Sequence, residues 1–444
     1  MNSTLGTYRR VVALTGAALP VVSFLGRLPT ATIQFGSVLL VARTSGSLGT
    51  AGLVGGALAV GQVACGPLVG RLADRRGQRT VVLVCSLANA LAIAALVTGA
   101  LTHLTPGPLA LLGALAGASV PLIGPLARVR VVALARGNGA DDRTVAAALS
   151  FESTLDEISF VLGPALVGVA AVLAHPAYAL GAAGLLVAVC GTGFALHPTA
   201  TAVHPTVTAM RRARNPAWAV AARPRMPRSV HALRAALALQ GAMFGACQAG
   251  ITALTERLGQ EDQAGLVYAA MGVMSAVAGL SMAAVPARLG LRARWRAATA
   301  GALLLSLPLL WTESLWGLYA VVTVLGVAYA PHLITVFGLT ERAVPPARLA
   351  EAMAVATSAI VGGQALAVAV TGRLAESYGP TAAFAVGSAV AALACAIALT
   401  ARPTTYTETE NDPHARVHPE DEPHARVHPK NEPHARVPQK NTPA

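Results

Sequence analysis

Gly66-Pro-Leu-Val-Gly70-Arg-Leu-Ala-Asp74-Arg75-Arg76-Gly77-Gln78-Arg79 is the stretch that decides how this chain folds. It packs its charges into a short polar turn, while the runs on either side, 50–70 and 80–102, are almost wholly apolar. A membrane-crossing helix needs about 20 such residues, so the turn joins two crossings. Each of its special residues has a physical use there. Gly70 lets two helices approach closely. Asp74 suits a helix N-terminus and an arginine partner. Gly77 permits a tight reversal.

Moving outward, the same alternation repeats along the chain. Twelve apolar runs are expected as membrane helices. In the first half they lie at about 11–42, 50–70, 80–102, 107–134, 145–173 and 178–197. In the second they lie at about 232–255, 264–286, 297–312, 315–340, 352–373 and 381–400. The first is long enough to tilt, to kink at Pro20 or Pro29, or to begin with an interfacial turn. It lacks a signal-peptide cleavage pattern and is expected to be retained. Of 444 residues, 54% are apolar and 12% charged, the latter about half the share of a soluble domain. An ordinary water-soluble enzyme is excluded.

The expected fold is an all-α membrane protein with 12 transmembrane helices in two pseudo-symmetric six-helix halves. Residues 1–197 form the N-terminal half, 198–230 a cytoplasmic linker, 231–400 the C-terminal half and 401–444 a disordered cytoplasmic tail. With the N-terminus inside, 29 of the 33 basic residues fall on cytoplasmic segments. Arg43, Arg257 and Arg373 fall outside, and Arg27 falls within the first helix. That bias puts both termini in the cytoplasm. The linker carries Arg211, Arg212, Arg214, Arg223, Arg225 and Arg228. It reads as a solvated connection, with an amphipathic helix on anionic lipid as the alternative. The tail repeats Pro-His-Ala-Arg-Val from Pro413, Pro423 and Pro433, a low-complexity pattern without an apolar face. Its paired histidines, His414 with His418 and His424 with His428, offer at most a weak metal site. The arginines punctuate apolar segments instead of forming a face, so nucleic acid is not an expected partner. The five cysteines lie inside apolar runs without metal-site spacing and read as packing residues. No metal and no cofactor are expected.

The loop at residues 66–79 resembles the signature loop of the major facilitator superfamily, Gly-x-x-x-Asp-basic-x-Gly-basic-basic. Gly70, Asp74, Arg75, Gly77 and Arg79 match, and Gln78 departs at one basic position. The resemblance covers roughly residues 10–400, with a weak echo at Gly279 to Arg294 in the second half that keeps Gly290 but lacks the acid. It implies that this loop latches one state of an alternating-access carrier. The fifth run also looks like the glycine-rich signature of antiporters in this superfamily. There Gly163, Pro164 and Gly168 match, while Ser150, Ser159 and Val167 replace glycines. These small residues are expected to pack helix five against the other half, and the Gly-Pro pair to soften it for a bend. The fourth run lacks the early arginine of proton antiporters: Arg128 and Arg130 stand about twenty residues in, towards the cytoplasmic end.

Charges at membrane depth are costly and therefore functional candidates. These are Arg27 in the first run and Glu152, Asp156 and Glu157 in the fifth. Asp156, four residues after Glu152, shares its helical face, with Glu157 on an adjacent one. Arg27 is expected to pair with Asp156 or Glu157, and proton uptake there to compete with substrate. His332 in the tenth run is a candidate proton carrier. Gln34, Gln240, Gln248 and Gln364 are cavity-lining candidates that equally suit helix-to-helix bonding. Trp311 and Trp316 mark a membrane interface.

Only Lys430 and Lys440 are lysines, so the body of the chain holds no phosphate-cradling Gly-Lys-Ser/Thr loop. A proton gradient is then the expected energy source. The expected function is secondary active transport, with proton-coupled efflux of a small hydrophobic or cationic compound. The alternative is a proton-coupled importer of a nutrient or metabolite. A polytopic membrane enzyme is more remote, because no His accompanies the carboxylates. The arginine-over-lysine and alanine-rich usage suggests a high-GC genome. The expected setting is a bacterial plasma membrane, and the expected oligomeric state a monomer.

Overall fold

The computed structural model describes residues 2–201, 226–286, 288–403 and 405. The linker arginines from Arg211 to Arg225 and the tail repeats lie outside the described residues. Within them the structure is helical throughout. Helix α1 (Asn2–Thr15) precedes the first crossing, α2 (Ala18–Ser45), from which Gly16 at φ +71° separates it. Pro20 therefore falls in the first turn of α2, and Pro29 lies inside the helix. Helices α3 (Leu48–Arg76) and α4 (Gln78–Leu101) meet at Gly77, whose φ of +92° needs a residue without Cβ.

The fourth crossing is broken. It consists of α5 (Pro106–Ala118) and α6 (Ile123–Gly137), joined through Leu122 in the left-handed region at φ +51°. Helices α7 (Asp142–Leu173) and α8 (Pro176–Leu196) complete the N-terminal half. The C-terminal half contains α9 (Ser229–Arg257), α10 (Ala264–Ser281) and α11 (Leu291–Ser306), then α12 (Leu315–Ala343), α13 (Leu349–Tyr378) and α14 (Pro380–Thr400). Among the described residues, eleven helical segments are long and apolar enough to cross a membrane. The ninth crossing is shorter: α11 ends at Ser306 and a 3-10 turn, Leu307–Trp311, carries the chain on, with Pro308 in its first turn.

Lipid offers helices little hydrophobic reason to associate, so close contact depends on small residues. The exterior is accordingly rich in exposed Leu and Val, as at Leu91, Val60 and Leu185. Trp311 and Trp316 are both strongly exposed near a helix end, as interface anchors are. The five cysteines are all free.

The halves meet along α3 against α13 and along α7 against α10 and α12. Among the described residues, every ion pair joining the halves lies at the end where α3 turns into α4, here called the latch end. Gly163 does not make the expected cross-half contact. A Cβ on it would lie 2.7 Å from the Ala31 Cβ, so it seats α7 on α2 within one half. Gly168 has open space where a Cβ would stand, and Pro164 lies inside the helix beside Gly163. The close cross-half approach comes from the other side. Gly279 of α10 accepts the Ser150 hydroxyl at its carbonyl, and Gly272 faces Val161.

Candidate functional site

At the latch end Asp74 reaches across to the start of α13. Its two carboxylate oxygens accept the N–H groups of Ala350 (3.0 Å) and Glu351 (2.8 Å). Those donors belong to a helix N-terminus, where backbone N–H groups lack internal partners and the dipole favours an anion. Gly70 makes this possible: a Cβ there would stand 2.5 Å from the Ala354 Cβ and 2.7 Å from the Ala350 carbonyl. Arg71 pairs with Glu351 at 2.8 Å, and Arg348 pairs with it from the other side at 3.1 Å. Arg75 and Arg79 are exposed on either side of Gly77. Sequence reasoning found Asp74 but missed Arg71, Arg348 and Glu351, because Glu351 is 280 positions from Arg71.

A second clasp lies beside the first. Asp142 at the start of α7 bridges Arg136 (2.7 Å) and Arg342 of the other half (3.0 Å). Arg136 also reaches Glu341 at 3.4 Å.

At the middle of the bundle the buried charges form one cluster. Arg27 Nη2 lies 2.5 Å from Glu152 Oε2, and Arg27 Nη1 lies 2.8 Å from Asp156 Oδ1. Arg27 also donates to the Glu152 carbonyl (2.9 Å) and the Ser23 hydroxyl (2.5 Å). The other Asp156 oxygen accepts from Arg128, whose guanidinium covers the Phe337 ring at 4.1 Å. Arg27 thus pairs with Glu152 and Asp156, and not with Glu157. Arg128, counted above with a cytoplasmic loop, is corrected to the buried cluster beside Asp156; Arg130, equally buried, stays at the latch end beside Gln78. The break between α5 and α6 explains Arg128. The second half-helix starts beside Asp156, and Gly124 leaves room for its carboxylate, since a Cβ there would lie 2.7 Å from Oδ1. Arg130 faces elsewhere, bonding Gln78 (3.1 Å) and the Phe194 carbonyl (2.9 Å) over the Phe194 ring.

Two adjoining cavities flank this cluster. One, of about 470 Å³, is lined by Arg27, Gln62 and Asp156. The other, of about 690 Å³, lies between the halves and is lined by Arg128, Asp156 and Glu157, with Phe160, Phe244 and Tyr329. Asp156, Phe160, Thr357 and Val361 border both. Phe244 stands edge-on to Tyr268 and Tyr329, with ring centroids 4.9 and 5.5 Å away. Glu157 faces Ser275 of α10, whose hydroxyl oxygen also accepts the Ala330 N–H at 3.1 Å. Among the described residues Glu157 has no salt bridge.

The glutamines divide. Gln240 and Gln364 line the larger cavity; Gln240 donates to the Tyr329 carbonyl at 2.9 Å, and its own amide oxygen is buried without a partner. Gln248 meets Gln364 at 3.3 Å but lines a separate cavity of about 1210 Å³ towards the opposite end. Gln34 bonds Gln62 at 2.8 Å, tying α2 to α3. His332 is buried in α12, its Nε2 has no hydrogen-bond partner, and it borders none of these cavities.

Two six-helix halves, clasped at one end around a cavity edged with buried ion pairs, define a secondary membrane transporter. The sequence matches the Major Facilitator Superfamily model over residues 19–359 and again over 236–433, and the chain belongs to that superfamily. No curated protein matches it. Among solved structures it is similar to the human organic anion transporter MFSD10, with 18% identity and a TM-score of 0.64 over 86% of this chain and 99% of that one. It is similar to a bacterial homologue of the iron transporter ferroportin in an outward-facing state, with 16% identity and a TM-score of 0.67 over 86% and 98%. It is also similar to the E. coli fucose:proton symporter FucP, with 15% identity and a TM-score of 0.61 over 87% and 98%. At these identities the likeness is one of fold. Proteins of this superfamily are transporters and not enzymes.

Proposed function

We propose that this chain is a proton-coupled exporter of small lipophilic cations in a bacterial plasma membrane, with the latch end and both termini cytoplasmic. The observation that carries this reading is the surplus carboxylate of Glu157. Around the central cavity the charges of Arg27 and Arg128 are already matched by Glu152 and Asp156. Arg130 stands two positions from Arg128, on the opposite side of α6, and is held by Gln78 and Phe194. Glu157 is therefore left to a ligand or a proton. Phe160, Phe244 and Tyr329 line the same cavity, and aromatic rings attract cations most when water is excluded.

The cycle follows from competition for one group. An organic cation entering from the cytoplasm neutralises Glu157 and settles among the rings. The latch end then closes and the opposite end opens. A proton from outside takes the carboxylate, the cation leaves, and the neutral site turns inward and releases the proton to the cytoplasm, which restores the carboxylate. Uptake of the proton and of the cargo exclude each other, which is antiport. The cargoes named for the three similar structures differ from one another: an organic anion, iron and a sugar. A cavity with an unmatched acid and aromatic walls suits a cation instead.

The test is reconstitution. Proteoliposomes carrying an imposed pH gradient should move ethidium against the proton flow. Movement in the same direction as protons would establish symport and import. Flux of organic anions with no flux of ethidium would overturn the cation assignment.

A further inference from the structure

At the latch end a cavity of about 680 Å³ lies between α7 and the junction of α10 with α11. It is separate from the transport cavity and shares no lining residue with it. Three guanidiniums from both halves face it: Arg143 of α7, Arg294 of α11 and Arg342 of α12. Its floor includes Met282, Val285 and Leu289.

The charge there is unbalanced. Asp142 and Glu341 are engaged by Arg136 and Arg342. Asp141 caps α7 by accepting from Thr144 and stands beside Arg10 and Arg143. Five arginines thus share three carboxylates. Arg294 spends its hydrogen bonds on main-chain oxygens, those of Leu289 (2.8 Å), Pro286 (3.0 Å) and Val285 (3.3 Å), so its charge is uncompensated. Arg143 is exposed and makes no hydrogen bond among the described residues. An apolar strip leads to this rim from the membrane: Val273, Val277 and Leu280 on α10 are all exposed, and so is Leu289 next to the cavity.

From this arrangement we infer that the pocket binds the phosphate of an anionic phospholipid, with Arg143 and Arg294 as its cationic contacts and the α10 strip as the bed for an acyl chain. Basic pockets between membrane helices at the aqueous boundary suit such headgroups. Because Arg143 belongs to one half and Arg294 to the other, the bound phosphate bridges them and favours the state in which the latch end is shut. This holds whatever the cargo is.

The experiment uses the purified full-length protein, with phosphatidylglycerol and phosphatidylcholine added in turn and retained lipid counted by native mass spectrometry. Wild type should retain phosphatidylglycerol preferentially. Arg143→Gln, which removes no internal hydrogen bond, should lower the preference about fivefold, and Arg143→Gln with Arg294→Gln should lower it further. Arg373→Gln, at the opposite end, should leave it unchanged. Equal retention of the two lipids by wild type, or an unaltered preference in Arg143→Gln, overturns the inference. Displacement of phosphatidylglycerol by glycerol phosphate at equal concentration overturns the lipid assignment in favour of a free phosphate. A pair of spin labels across the latch end should report a larger closed population in phosphatidylglycerol than in phosphatidylcholine.

Discussion

Arg27 Nη1 and Asp156 Oδ1 stand 2.8 Å apart near the middle of the bundle, joining α2 to α7, with Arg27 almost fully buried and Asp156 at the edge of both central cavities. Removing one member of a buried pair strands the other, at a cost of about 3–5 kcal/mol. Asp156→Asn leaves Arg128 without an anion and Arg27 with Glu152 alone. It should lower the unfolding temperature in detergent and abolish transport. Arg128→Gln combined with Asp156→Asn leaves the Arg27–Glu152 pair intact and should recover part of the lost stability, with a coupling of about 1–3 kcal/mol. Additive losses would show that the pair is not a unit.

Glu157→Gln should behave differently. Glu157 bonds Ser275 rather than an arginine, so the amide strands no partner charge. Thermal stability should stay close to wild type while ethidium flux falls about tenfold or more. A variant that keeps full flux across the pH range removes Glu157 from the cargo site.

The latch can be opened from Gly70. Gly70→Val places side-chain atoms against the Ala350 carbonyl and the Ala354 Cβ, already within 2.7 and 2.5 Å of a bare Cβ. The separation of α3 from α13 should grow, as measured by spin-label distances at the latch end. Asp74→Ala should act in the same direction without any clash. It removes charge-assisted hydrogen bonds worth about 1.5–3 kcal/mol each in general.

Asp141 should give the N-terminus of α7 an acid-sensitive increment of stability. Thr144 donates its hydroxyl at 2.6 Å and its amide N–H at 2.9 Å to Asp141 Oδ1, and these bonds hold the carboxyl below its ordinary range. A lowered carboxyl pKa stabilises the fold above the unfolded value and loses that contribution as pH falls through the folded value. Unfolding temperatures measured from about pH 5 down to pH 3 should therefore drop more for wild type than for Asp141→Asn. Asp141 is almost fully solvated, so the difference should stay below about 1 kcal/mol. A pH-independent difference would mean that the cap does not depend on the charge.

The helices and the pairing of Arg27 with a carboxylate of the fifth run could be read from hydropathy, spacing and the rarity of charge at membrane depth, and the latch loop from its resemblance to the superfamily signature. The break in the fourth crossing was not legible. Hydropathy runs unbroken through 107–134, and Pro121 alone does not distinguish a kink from two half-helices. Counting residues along an unbroken helix then pushed Arg128 out towards the loop, when the break sets it beside Asp156. Glu351 escaped for another reason: it sits in the first turn of a helix, where an acid is ordinary, and its cross-half partner, Arg71, lies 280 positions away. Gly163 looked like a cross-half contact because helix five does meet the other half, but its glycine faces α2. The glycines that admit helix five to the other half, Gly272 and Gly279, belong to α10, whose sequence carries no comparable signature.

The two N–H groups that Asp74 accepts are the opening donors of α13, whose N-cap residue, Arg348, makes no side-chain cap of its own. The helix therefore borrows its cap from the opposite half. When the halves part at this end, α13 is left with bare donors at its tip, and the first turn is expected to fray until water or lipid takes them up. Opening the carrier is then a local helix-to-coil transition as well as a rigid-body movement, and amide hydrogen exchange at Ala350 and Glu351 should count each opening.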